Sequence, residues 1–140
     1  MAAMSDYLEQ KLLDEVFNGV GFTSPATYIA LFTAAPSDSG GGTEVTGGSY
    51  ARKQVNVNGG SSPTWNLAVT EGGGGYLVDN LHDITFVTAS ADWGIITHFG
   101  IFDALTTGNL LVHGALTAPK TVQNGDTFKF AVGDLDIIFR

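Results

Sequence analysis

Cysteine is absent from the 140 residues, which excludes disulfides, thiolate metal sites and thiol catalysis. Basic residues are scarce: six Lys and Arg stand against fourteen Asp and Glu, a net charge of −8. Tracking phosphate takes clustered cations, and the only adjacent pair is Arg52-Lys53, so direct nucleic-acid binding and docking on an anionic membrane are not expected. Long apolar runs are missing as well. None approaches the roughly 18 residues of a membrane-spanning helix. The start, Met1 to Asp6, lacks the basic-then-apolar order of a secretory signal. The expectation is a protein made and folded in a cytoplasm. Charged residues make up only 14% of the chain, below the roughly 25% of an ordinary domain. A hydrophobic share of 44% excludes disorder of the whole chain.

What is present is glycine, 19 residues of it, between short apolar stretches. With four prolines this is too little and too aperiodic for a collagen-like chain, and it suits tight turns between strands. The length favours one domain with a real core. Only the first segment reads as helix. Asp6 with Glu9 three residues on gives a capping pattern, Leu8, Leu12 and Val16 with Leu13 and Phe17 make an apolar face, and Asn18-Gly19 is a stop.

Beyond Pro25 the period changes to two. Thr27 to Phe32 is apolar on both faces, which predicts a strand covered on both sides. Residues 37–48 are polar, Gly-rich and aperiodic and read as a long exposed loop. Strands are predicted over 50–57, 65–69, 76–78, 84–87, 93–102, 110–116, 127–130 and 135–139, with Asn124-Gly125 as a hairpin signal. One helix followed by eight or nine short strands predicts an all-β fold, a jelly-roll-like β-sandwich with one N-terminal helix. Residues 1–24 form the helical segment and 25–140 the sandwich domain.

Chemistry is thinly marked. His82, His98 and His113 lie on separate segments without metal-ligand spacing, although His98 and His113 flank one predicted hairpin. Asp134 and Asp136 lack the spaced oxygens of a calcium loop. Asp79, Asp83 and Asp103 are candidates for a carboxylate pair of the kind that hydrolyses glycosides, but acids beside turns are ordinarily solvated. No G-x-S-x-G elbow exists, and neither glycine run carries the residues of a phosphate loop. Trp65, Trp93, Tyr50 and Tyr76 are candidates for stacking sugars, and at alternate strand positions they read better as core. No enzyme, metal or cofactor is expected.

Several stretches together resemble a family of small virion proteins of tailed bacteriophages, whose members are described as tail-fibre or head-decoration proteins. They are Ser5-Asp6-Tyr7-Leu8-Glu9, Pro25-Ala26-Thr27 through Ala30-Leu31-Phe32-Thr33-Ala34-Ala35-Pro36, Gly42-Thr43-Glu44-Val45, Tyr50-Ala51-Arg52 and Ala91-Asp92-Trp93-Gly94. Further on come Thr97-His98-Phe99-Gly100-Ile101-Phe102-Asp103, Asn109-Leu110-Leu111, His113-Gly114-Ala115-Leu116 and Gly125-Asp126-Thr127-Phe128. The resemblance implies a structural protein of the virion and no enzyme. It leaves head and tail open. A fibre needs a repetitive or coiled-coil shaft, which this chain lacks, so the first expectation is a capsid cement protein that bridges capsomers, with the major capsid protein as partner. The alternative is a tail-tip or tail-fibre module that adheres to the host surface, with tail components as partners. Either role suits self-association as a dimer or trimer. The candidate interface residues are Leu8, Leu12 and Val16 on the helix and Asp38 and Glu44 in the long loop.

Overall fold

The computed structural model describes residues 2–140. Strand β1 (Ala3–Met4) precedes helix α1 (Asp6–Asn18). The helix is capped by Ser5 rather than Asp6. The buried Ser5 hydroxyl accepts the Leu8 N–H at 3.2 Å and donates to the Leu110 carbonyl, so one side chain closes the helix and ties it to the sheet. Gly19 ends the helix at φ 64°, a left-handed position that glycine adopts freely, and its N–H donates to the Asp14 carbonyl. No helical residue is buried.

Ten further strands follow: β2 (Thr27–Ala34), β3 (Thr43–Glu44), β4 (Lys53–Val55), β5 (Val69–Thr70), β6 (Tyr76–Val78), β7 (Ile84–Thr85), β8 (Gly94–Phe102), β9 (Leu110–Val122), β10 (Lys129–Phe130) and β11 (Ile137–Phe139). The main sheet is antiparallel and six-stranded, in the order β1-β9-β8-β2-β3, with β4 also pairing on β2. Two small sheets, β10-β7 and β11-β6-β5, complete the fold. This is an all-β sandwich with one N-terminal helix. Ala3 and Met4 pair with His113 and Val112, so residues ahead of 25 take part in the same sheet as the rest.

Ile29 and Leu31 of β2, Phe99 and Ile101 of β8 and Leu111 and Val112 of β9 share one core with Ile84, Phe86, Phe128, Phe130 and Leu135. Edge-on aromatic pairs run through it: Tyr50 with Trp93, Phe86 with Phe128, Phe128 with Phe130, and Phe130 with Phe99. The covering of β2 on both faces holds, since Ile29, Ala30, Leu31 and Phe32 are all buried. Gly114 stands opposite Phe99, where a Cβ would lie 3.0 Å from the ring. In β9 the four residues 116–119 stand opposite Thr97 alone, and Pro119, which has no N–H to pair, sits in that bulge.

Three local expectations are corrected. Asn124-Gly125 is a turn but not a hairpin, because β9 pairs with β8 whereas β10 pairs with β7, and the Gly125 N–H is taken by the Ala89 carbonyl at 2.8 Å. Residues 37–48 are not a free loop: Thr43 and Glu44 form β3, Val45 is buried, and its N–H bonds to the Leu31 carbonyl. The predicted strand 65–69 is reduced to Val69–Thr70 at its far end, with Trp65 held by an isolated bridge to Asn80.

Candidate functional site

Three concave surfaces are the candidate sites. The first lies between the start of α1, the 37–42 turn and the β8–β9 connection, a cleft of about 580 Å³. Its wall is built on Arg52, whose side chain is 7% exposed. Arg52 makes a two-pronged pair with Glu44, Nε to Oε1 and Nη2 to Oε2, both 2.8 Å. Its Nη1 donates to the carbonyls of Ala104 and Thr107 at 2.9 and 2.7 Å. The guanidinium lies 3.7 Å from the centre of the Phe102 ring, whose other neighbour is Phe32. The Tyr50 hydroxyl donates to Glu44 at 3.0 Å and accepts the Leu31 N–H at 2.9 Å, and burial holds its pKa well above the usual phenol value. Asp38, at the rim, accepts from His113 Nε2 at 2.8 Å, and its carbonyl accepts the Asp6 N–H. Asp38 and Glu44 therefore both have partners inside the chain.

The second surface is a cavity of about 470 Å³ beside the β9 bulge, bordered by Lys120, Phe130, Asp134 and Asp136. Partial burial and then the charges of Asp79 and Asp134 raise the Asp136 pKa. The carboxylates considered for sugar chemistry do other work. Asp79 accepts from Asn66, Asp83 pairs with Lys129 at 3.0 Å, and Asp103 accepts from the Asn109 backbone and side chain. Bonding to Lys129 holds the Asp83 pKa below the usual carboxylate range. His98 and His113 do not face each other: His98 stands opposite Ala115 and His113 opposite Gly100. Among the described residues no three His, Asp or Glu side chains cluster as metal ligands.

The third surface is an apolar groove of about 390 Å³ between the start of α1 and the β5-β6-β11 sheet. Leu8, Phe22, Pro25, Trp65, Leu67 and Phe139 are among its walls, and no charged residue lines it. Thr27 fixes the Trp65 ring, accepting from its Nε1 at 2.9 Å while donating to the Val55 carbonyl at 2.7 Å. Leu8 packs half-buried against the core. The helix then leaves the groove with Leu12, Leu13, Val16 and Phe17 exposed, and Val20 follows them beyond the stop. Of the sugar-stacking candidates, Trp65 and Trp93 are buried, Tyr50 is mostly covered, and Tyr76 is exposed.

Structural polar residues went unnoticed in the sequence. Asn80 is fully buried, donating to the carbonyls of His82 and Ala131 and accepting the Leu135 N–H. A lone Asn between strands carries no signal for that role.

The family described as podophage GP4 fiber I protein gp80 matches residues 3–138, nearly the whole chain. The chain belongs to that family. It is accordingly a structural protein of the phage virion, in line with the resemblance carried by its sequence segments. The helix, the Arg52 cleft and all of the groove but Phe139 lie inside the matched span. No curated protein matches the chain. Among the described residues no helix is long and apolar enough to cross a membrane.

Proposed function

We propose that this protein is a non-catalytic structural module of a phage tail fibre, which joins tail components and adheres to the host surface. The observation that carries this reading is the match of residues 3–138 to a fibre protein family, which favours the tail over the capsid shell. The side chains support a structural role. The histidines and carboxylates considered for catalysis are engaged in turns and strand contacts, and Arg52 directs four of its five N–H groups to Glu44 and two carbonyls. The chain brings no repetitive or coiled-coil stretch, so it supplies a module at the base or tip of a fibre and not its shaft.

The test is place and number in the virion. Antibody-gold labelling of intact phage, with copies counted by quantitative mass spectrometry against the major capsid protein, is expected to put label on the tail with a few to tens of copies. Label over the head with hundreds of copies would restore the capsid cement role. Binding of the fluorescently labelled protein to host cells examines adhesion separately.

A further inference from the structure

We propose that the protein self-associates by laying the exposed apolar side of α1 from one copy into the apolar groove of a second copy. The proposal is independent of where in the virion the protein sits. It begins from the path of the helix. At about 100° per residue, Leu8, Leu12 and Val16 drift round the cylinder toward Leu13 and Phe17, so these side chains span about half of the circumference, which Asp6 and Glu9 share only in the first turn. Only the Leu8 end of the band rests on its own core. Phe17 is 76% and Val16 69% exposed. Gln10, Lys11, Asp14, Glu15 and Asn18 lie on the opposite side, facing solvent in such a pairing.

The same chain carries a matching surface. The groove is open and without charge, and Val57 and Leu67 on its wall are 61% and 69% exposed. The exposed parts of Leu12, Leu13, Val16, Phe17, Val20, Val57 and Leu67 sum to roughly 800 Å², the area each partner gives to a standard stable interface. A second copy is the occupant favoured because donor helix and acceptor groove meet at Leu8 on one molecule, so a two-fold pair covers both at once and closes. Two copies of −8 repel, so a stable contact has to be carried by apolar burial in this uncharged groove.

The experiment uses the full-length chain. Sedimentation and light scattering at tens of micromolar are expected to give a dimer for the native protein and a monomer for both Phe17→Asp and Leu67→Asp, with circular dichroism and melting unchanged in the monomeric range. Added salt is expected to tighten the dimer, because it screens like charges and no ion pair is lost. The absence of native cysteine permits a direct geometric check. Phe17→Cys mixed with Leu67→Cys is expected to give the mixed disulfide in preference to either homodisulfide. A native chain that stays monomeric, a dimer that survives both aspartate substitutions, or cross-linking confined to Phe17→Cys with itself would each overturn the proposal.

Discussion

Arg52 and Glu44 hold each other through two parallel bonds of 2.8 Å, with the guanidinium lying flat on Phe102 and reaching two carbonyls of the β8–β9 connection. Three separate stretches, β3, the segment before β4 and residues 104–107, are thus fastened by one side chain. Arg52→Ala leaves both carbonyls without this donor and the Glu44 carboxylate with only the Tyr50 hydroxyl. It is expected to cost about 3 kcal/mol, at the low end for a buried pair because Glu44 keeps some contact with water. Arg52→Lys is expected to recover less than half, since an ammonium cannot match the planar fork or the ring contact. Urea midpoints of the two variants check both statements, and a lysine variant as stable as the native chain would refute the fork as the source of the stability.

Tyr50 adds a pH dependence. Its hydroxyl is buried between Leu31 and Glu44, and burial raises its pKa above the ordinary value near 10. In the unfolded chain the phenol ionises near pH 10, while in the native protein it stays protonated to higher pH. The native state therefore holds the extra proton, and the stability it brings is complete below about pH 10 and is lost as pH rises further. Tyr50→Phe is expected to lose about 1–2 kcal/mol at neutral pH, because the Leu31 N–H loses its acceptor, and to flatten the alkaline fall. Denaturation at pH 8 and at about pH 11 measures both effects.

The two-faced apolar pattern of Thr27 to Phe32, the period of residues 93–102 and the Gly19 stop were all legible, because each rests on local periodicity or on a single conformational requirement. Pairing partners were not. Asn124-Gly125 looks like a hairpin turn from its two residues alone, yet β10 finds β7, forty-odd positions back in the chain. Val45 is one apolar residue in a polar stretch, and only the main sheet explains its burial. The interface candidates divided along the same line. Helical spacing put Leu12 and Val16 on one apolar face, which the fold leaves exposed, whereas Asp38 and Glu44 found His113 and Arg52 at distances in sequence that no pattern encodes.

Asp136 is expected to oppose folding slightly at neutral pH. Burial and the neighbouring Asp79 and Asp134 raise its pKa, so the native protein prefers it protonated. That preference stabilises the fold below the unfolded carboxylate value near 3.8 and disappears as pH rises through the native one. Asp136→Asn is expected to raise the urea midpoint at pH 7 and leave it unchanged near pH 3. An equal gain at both would point to a cause other than charge.

Gly114→Ala is expected to destabilise by about 1–3 kcal/mol, as overpacked cores do. The new methyl would meet two Phe99 ring carbons at 3.0 Å and the Ala2 Cα at 3.2 Å. The ring is pinned in turn by Phe130, with centres 6.4 Å apart, and β1 is fixed by its pairing on β9, so neither neighbour has an easy retreat. Phe99→Leu in the same chain is expected to recover part of the loss by opening that space. A double variant no better than the sum of the two single ones would place the strain elsewhere.

Leu8 and Phe17 separate the two duties of α1. Leu8 packs on the core, so Leu8→Ala is expected to lower the stability of the monomer by roughly 1–2 kcal/mol, the loss of a half-buried side chain. Phe17, more than three-quarters exposed near the far end of the same helix, touches little of its own chain. Phe17→Ser exchanges residues of similar helix propensity at a solvent-facing site, so the monomer is expected to keep its stability within about 0.5 kcal/mol. Urea unfolding followed by tryptophan fluorescence, in dilute solution where no oligomer forms, compares the two directly. A loss at Phe17 as large as that at Leu8 would mean that the end of the helix docks on its own sheet, leaving the apolar stripe with a partner inside the molecule and none required outside it.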